Sequence, residues 1–488
     1  MNVREQSHVE NNLLFDSIIR STFLRDFHKS TNKRDKYFST LEINLSPICN
    51  LGCKYCYINK HMDGLYPKEI RDRNVILDNL KMLLKWLSDN DYNPNIDLFS
   101  GDPLTIELGI EALEIMLDHY RCIERDLRPE SISVPNNFSF ILDEELTNRI
   151  EILIKDFSDL GIVFFLSASI DGLLIENETR PFLLLEKIKN SKKHNLKQLY
   201  DESSLTPFST IEDARSSRNI EFYDKVFKFC KKYERNTGFH PMIYSTGIDK
   251  WKDNFLWFQE MFKKYNFHWN NIYLLEVRNA EWNKDQINHF YKFMEFLVEW
   301  QYEEIYNKNV KEFIDNLLRG DAFNITKSIF TKISRGIGCS FQTTLYVRMG
   351  DLAIIPCHRT SYDHLNYGKF KTYNGSIIGF ENNNVESMIQ GLSFNVKNLP
   401  MCQTCLVKDI CNGGCLGAQL EETGSMYMPI PTVCELEHAK ILSIISAIEK
   451  IGGLNYLFAS LKNTSSHGDI YAFKKLLKIG KEVKNNGI

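Results

Sequence analysis

The sequence predicts an α/β chain: a partial barrel of six β/α units, then a cysteine-rich domain, then C-terminal helices. Three observations predict it. Between residues 40 and about 280, short strand-like runs alternate with longer amphipathic helical runs, the pattern of a parallel sheet covered by helices on its outer face. Cys49, Cys53 and Cys56 lie in SPICNLGCKYCYI, directly after the first strand-like run. Seven more cysteines fall between 339 and 434.

At 488 residues the chain exceeds the size at which one core stops growing, so at least two domains are expected, and a hydrophobic fraction of 43% can fill them. The start, MNVREQSHVENN, is polar, and nowhere do about 18 uncharged apolar residues run together. A cytoplasmic protein without membrane spans is expected. A formal charge of -4 argues against a standing grip on nucleic acid. Twelve cysteines in a cytosolic chain point to metal rather than disulfides. Cys122 and Cys230 stand apart and read as structurally buried thiols.

The elements follow in order. LEINLS is the first strand, and the helix after the cysteine loop carries Ile76, Leu80, Leu83 and Leu87 on one face. NIDLFSG is the second strand, followed by a stripe of Ile106, Ile110, Leu113, Leu117 and Tyr120. SISVPNN, a helix with Leu146, Ile150, Leu153 and Phe157, and then IVFFLSASIDG continue the alternation. Residues 183–218, rich in Lys, Asn and Ser, read as a surface insertion. YDKVFKFCKKY, GFHPMIYS, a helix with Trp251, Phe255, Phe258, Phe262 and Tyr265, and NIYLLEV then complete six strands. Domain limits expected from this reading are an N-terminal helical extension at 1–39, the barrel at 40–282, a helical bridge at 283–335, the cysteine-rich domain at 336–440 and a helical tail at 441–488.

Three thiolates can hold three irons of a four-iron cluster, which normally takes four, and so leave one iron open for chemistry. A zinc site is the alternative, although no histidine or further cysteine lies nearby to complete a tetrahedron. With Tyr57 after the last cysteine, this loop resembles that of the radical S-adenosylmethionine (SAM) family. The resemblance implies a [4Fe-4S] cluster whose open iron binds SAM, and formation of a 5'-deoxyadenosyl radical that removes a hydrogen atom from substrate.

Cys339 and Cys357 flank TTLYVRMGDLAIIP, which reads as a hairpin turning at Met349, Gly350 and Asp351. CQTCLVKDICNGGC then sets Cys402, Cys405, Cys411 and Cys415, with Cys434 further on. This pattern resembles the SPASM domain of peptide-modifying radical SAM enzymes. Gly350 lies six residues from Cys357 where the family has four. The resemblance assigns Cys402, Cys405, Cys411 and Cys434 to one auxiliary [4Fe-4S] cluster and Cys339, Cys357 and Cys415 to a second, whose fourth ligand is open. Two zincs are the alternative here too.

Ser100, Gly101, Asp102 and Pro103 resemble the family's Gly-Gly-Glu-Pro element, with an aspartate one methylene shorter. By the same resemblance Asn136 and Asn137, after strand three, and Ser169, Ile170, Asp171 and Gly172, after strand four, meet the nucleotide, and Arg180 meets the SAM carboxylate. Asx residues at strand ends also simply make turns. His240, Tyr244 and Glu276 are the candidates to face substrate.

The resemblance implies a peptide or protein maturase forming a crosslink or an oxidised residue. It also implies a precursor peptide or protein substrate and a low-potential electron donor such as flavodoxin or ferredoxin; any leader recognition is expected to use a separate leader-binding protein or another surface. A formylglycine-generating sulfatase maturase is the alternative within the class. A zinc-stapled binding module, without enzyme activity, is the alternative outside it.

Overall fold

The computed structural model describes residues 39–181, 218–461 and 470–478, apart from residues 100, 105–106, 320–321, 332, 334–335, 382–383, 385, 388–390, 392 and 472. The expected N-terminal extension and nearly all of the expected insertion at 183–218 lie outside the described residues. The chain divides into two compact units: Met1–Phe239, Met261–Asn271 and Ser340–Ser393 form the first, and His240–Glu260, Ile272–Cys339 and Phe394–Ile488 the second.

In the first unit, β1 (Thr40–Asn44), β2 (Asn95–Phe99), β3 (Ser131–Asn136), β4 (Val163–Ala168) and β5 (Thr237–Phe239) pair in parallel in sequence order. The helices Arg73–Asp89, Glu107–Arg121, Glu144–Asp159 and Ile220–Lys232 connect them. Their expected stripes are buried, including Leu80, Leu83, Leu113, Leu117, Leu153 and Phe157. Asp72 and Asp143 begin two of these helices by accepting backbone N–H bonds from Asn74 and Leu146. This is the α/β architecture the alternation predicts.

The fifth strand-like run divides at Pro241. β5 ends at Phe239, and β6 (Met242–Ile243) pairs in parallel with β7 (Leu275–Glu276) as a separate ladder in the second unit. Proline has no N–H to give to a sheet, which fits a break there.

The predicted hairpin exists as β8 (Thr344–Arg348) and β9 (Ala353–Ile355), and β10 (Gly368–Tyr373) and β11 (Ser376–Glu381) extend it antiparallel. Its other edge was not anticipated: β8 pairs in parallel with β1, from Thr40↔Thr344 to Asn44↔Arg348. The nine-stranded order is therefore β11-β10-β9-β8-β1-β2-β3-β4-β5. At the hairpin turn a Cβ on Gly350 would lie 1.8 Å from the Ile70 carbonyl oxygen, so only glycine fits. Asn79 Nδ2 secures the same turn by donating to the Met349 carbonyl at 2.6 Å.

β2, β3 and β4 alternate buried residues with more exposed ones along each strand. Ile96, Leu98, Ile132, Val134, Phe164 and Leu166 are fully buried. The other face carries a row set by the register, Tyr346–Glu42–Asp97–Ser133–Phe165. It is polar at its centre.

In the second unit, helix Lys284–Trp300 packs against helix Pro431–Lys450, burying Phe290, Met294 and Leu297 against Ile441, Ile444 and Ile448. No single helix among the described residues is long and apolar enough to cross a membrane. Cys230 is buried as expected, but Cys122 is exposed. It lies one residue past the end of helix Glu107–Arg121, beyond the face that packs.

Candidate active site

The cysteine loop is held from both sides. On one side the Gly101 N–H donates to the Ser46 carbonyl at 2.6 Å and the Asp102 N–H to the Ile48 carbonyl at 2.7 Å. A Cβ on Gly101 would stand 2.1 Å from the Ile48 oxygen, so the glycine exists for close approach to this loop. On the other side Gly52 N–H donates to the Pro181 carbonyl at 2.7 Å and Lys54 N–H to the Thr179 carbonyl at 2.9 Å. Cys49, Cys53 and Cys56 are free thiols, each half-buried. Cys49 Sγ accepts from Leu51 N–H at 3.3 Å and Asn137 Nδ2 at 3.8 Å. Burial raises the Cys53 thiol well above its ordinary range, Arg180 opposes this, and Cys49, Cys56 and Asp171 add to it. The three sulfurs and the Asp171–Arg180 pair thus share one neighbourhood.

Asp171 and Arg180 meet each other. Arg180 Nε lies 2.9 Å from Asp171 Oδ1, with side chains 7% and 0% exposed. Asp171 Oδ2 also accepts from Tyr55 Oη at 2.9 Å and Thr179 Oγ1 at 2.6 Å. Glu176 Oε2 accepts the N–H groups of Asp171 at 2.5 Å and Gly172 at 3.2 Å, while Glu176 Oε1 pairs with Arg218 Nη1 at 2.7 Å. Arg218 Nη2 reaches the Asn137 carbonyl at 2.8 Å. These buried charges are each answered by an opposite charge, as burial requires.

The other expected nucleotide residues are placed as follows. Asp102 Oδ1 accepts from Leu104 N–H at 3.0 Å and its Oδ2 from Asn137 N–H at 2.7 Å, so this carboxylate ties the end of β2 to the end of β3. Asn136 makes an Asx turn, donating to the Val134 carbonyl at 3.0 Å and accepting from Phe138 N–H at 3.0 Å. Ser169 is half-buried, its N–H donating to the Asn136 carbonyl at 2.7 Å. Ser100 lies outside the described residues. The Tyr57 ring stacks on His358, with centroids 5.6 Å apart, beneath the Arg359 guanidinium at 5.0 Å. The Tyr57 hydroxyl is buried without a hydrogen-bond partner among the described residues.

Sequence reasoning missed Tyr55, Glu176, Arg218, Glu42, Asp97 and His358. His358 stacks on Phe99 with centroids 4.5 Å apart, and its Nδ1 lies 3.0 Å from Glu42 Oε2. Asp97, beside Glu42, is pushed up to about 6 by burial and by that carboxylate, against a Ser133 hydrogen bond and His358. The signal for Glu42 and Asp97 was present: an acid at the middle of TLEIN and of NIDLF, out of phase with the apolar positions.

His240, Tyr244 and Glu276 belong to the second unit. His240 meets the Tyr273 ring edge-on at 5.0 Å, and the Tyr244 hydroxyl donates to Glu281. Glu276 is engaged as a structural anion, its Oε1 lying 2.8 Å from both Lys440 Nζ and Arg278 Nη2. Also in this unit, an open pocket is lined by Cys402, Cys405, Cys411, Cys415 and Cys434, with Arg278, Glu437 and His438 in its wall. Cys405 Sγ and His438 Nε2 lie 3.4 Å apart. Of the remaining signature cysteines, Cys339 is exposed in the second unit, while Cys357 packs on Tyr346, Ala353 and Ile355 in the first.

Residues 43–202, which span the cysteine loop and the Asp171–Arg180 pair, match the model of the radical SAM superfamily. This segment is a radical SAM domain. No curated protein sequence matches it. Among solved structures, native anSMEcpe with bound AdoMet aligns at 17% identity over 85% of this chain and 99% of its own, with a TM-score of 0.52. The hexahistidine-tagged form, also with bound AdoMet, aligns at 17% identity over 89% and 98%, with a TM-score of 0.53. SuiB of Streptococcus suis bound to precursor peptide SuiA aligns at 12% identity over 81% and 75%, with a TM-score of 0.42. The first two share the fold of this radical SAM enzyme.

A radical SAM domain implies a [4Fe-4S] cluster and SAM. Its loop fits that cluster: three reduced thiols converge, N–H donors face one sulfur, and cation Arg180 offsets their charge. Among the described residues no three His, Cys, Asp or Glu side chains close tightly enough to share a single ion. A four-iron cube is larger, and each of the three cysteines would hold a separate iron of it.

Proposed function

We propose that this radical SAM enzyme modifies a side chain of a ribosomally made peptide or protein, forming a crosslink or an oxidised residue. The observation that carries the reading is the convergence of Cys49, Cys53 and Cys56 beside the buried Asp171–Arg180 pair. When bound, cluster and SAM supply a 5'-deoxyadenosyl radical that takes hydrogen from the substrate. The chain's own part is to fix the loop through Gly101 and Thr179, and to keep water from the radical. Tyr57, Ser169, Ser100 and the end of β3 at Asn136 are the proposed nucleotide contacts, with Arg180 oriented by Asp171 and the Gly101 and Asp102 backbone bracing the loop.

The SPASM-like cysteine order supports two auxiliary [4Fe-4S] clusters, one at Cys402, Cys405, Cys411 and Cys434, whose thiols line one pocket. Cys339, Cys357 and Cys415 are the proposed ligands of the other. A flavodoxin or ferredoxin is the proposed electron donor and a separate protein the proposed leader reader. Formylglycine formation in a sulfatase is the second reading, favoured by the alignment over 99% of anSMEcpe.

Anaerobically prepared protein is to be assayed for iron and, with SAM and reductant, for 5'-deoxyadenosine. Roughly eleven to twelve irons are expected for three clusters. A colourless zinc protein would end the proposal. Mass spectrometry of a candidate precursor peptide and of a sulfatase peptide separates the two readings.

A further inference from the structure

Behind the cysteine pocket of the second unit lies a closed ring of four charges. Glu276 Oε1 meets Lys440 Nζ at 2.8 Å and Arg278 Nη2 at 2.8 Å. Glu437 meets the same two cations, Oε1 to Arg278 at 2.9 Å and Oε2 to Lys440 at 2.9 Å. The side chains of Glu276, Lys440 and Glu437 are 1%, 4% and 5% exposed, so none is a surface pair. Two acids and two bases cancel. Only Arg278 and Glu437 of the four also line the pocket.

Burying Glu276, Glu437 and Lys440, with Arg278 24% exposed beside them, is costly, and hydrophobic side chains would hold the unit together at least as well. The ring therefore asks for a role beyond stability. Its geometry supplies one: β7 carries Glu276 and the chain just beyond it Arg278, helix Pro431–Lys450 carries Glu437 and Lys440, and together they fix one guanidinium against the cysteines. Arg278 Nε and Nη2 are both spent on Glu276, which leaves the rigid fork no freedom to swing away.

We infer that Arg278, clamped by Glu276 and Glu437, is the residue that sets the reduction potential of the cluster held by Cys402, Cys405, Cys411 and Cys434. The inference rests on the reading of that pocket as a cluster site. Cluster potentials follow net charge and hydrogen bonds to sulfur. With Arg278 present the ring is neutral toward the cluster; without it the ring carries one uncompensated anion, which opposes the arrival of an electron. Arg278 is a positioning and tuning residue. It touches no reacting atom.

The test is an anaerobic redox titration of the full-length, iron-loaded protein followed by electron paramagnetic resonance, with iron content measured first. Arg278→Met should keep its iron and lower the potential of this cluster by at least a tenfold change in the one-electron equilibrium, about 59 mV. Arg278→Lys should stay within that interval of the parent. Glu437→Gln, which removes the anion nearest the pocket, should shift the potential upward, a sign reversal that mere structural support would not produce. If Arg278→Met fails to load iron, the Glu437→Gln titration decides alone. Parent protein whose pocket holds no iron overturns the cluster reading. Iron-loaded variants with unchanged potentials overturn this inference and leave that reading standing.

Discussion

Arg180 is ion-paired with Asp171, Nε lying 2.9 Å from Oδ1, and Tyr55 and Thr179 donate hydrogen bonds to the same carboxylate. The segment after β4 thereby becomes a rigid strut, and its Thr179 and Pro181 carbonyls hold the cysteine loop by the Lys54 and Gly52 N–H groups.

Removing one member of this pair should cost more than the pair contributes, because it strands a buried charge. Asp171→Ala should lose about 3–5 kcal/mol of unfolding free energy, measured by denaturant titration. A loss under about 1 kcal/mol, the range of exposed pairs, would show that the pair is solvated.

Gly101→Ala should displace the cysteine loop, since its Cβ would overlap the Ile48 carbonyl. The expected cost is about 1–3 kcal/mol in stability. Iron bound by the N-terminal trio should fall, while the iron of the 402–434 pocket stays. Equal loss at both places would contradict a local effect.

The architecture was legible in the sequence because strand and helix periods alternate cleanly, and the cysteine loop because its spacing is itself the signal. The partnership of β8 with β1 was not. TLYVR and TLEIN pair across three hundred residues, and each reads alone as an ordinary buried strand. The Asp171–Arg180 pair illustrates the same limit: both residues were singled out from sequence, yet each for the nucleotide. That they meet each other, with Tyr55 between the cysteines as a third partner, is a tertiary fact. Glu276 looked like a residue facing substrate because a lone acid in an apolar strand is conspicuous; Lys440, which answers it, lies far along the chain.

Asp97 makes stability depend on pH in a defined direction. Its folded value of about 6 exceeds its ordinary 3.8, so the native state holds the proton more tightly. Stability from this group is therefore fully present below about pH 4 and is lost as pH rises through about 6. Asp97→Asn should stabilise the protein by about 3 kcal/mol at pH 7.5 and hardly at all at pH 4. A difference between variant and parent that is flat across this window would contradict the assignment.

Tyr57→Phe removes a buried hydroxyl that has no partner among the described residues. Unfolding free energy in the absence of nucleotide should rise by about 1–2 kcal/mol, the cost of an unsatisfied buried group. A decrease would show that the hydroxyl is bonded in solution. SAM affinity measured on the same variant reports whether that hydroxyl is used for the nucleotide.

The central claim is an open coordination site at the Cys49, Cys53 and Cys56 centre, and electron paramagnetic resonance of the reduced, iron-loaded protein tests it most directly. Adding SAM should change the signal of this centre, and a Cys49→Ala, Cys53→Ala, Cys56→Ala triple variant should lose both that signal and 5'-deoxyadenosine formation. A spectrum unmoved by SAM, or undiminished 5'-deoxyadenosine from the triple variant, would contradict the account.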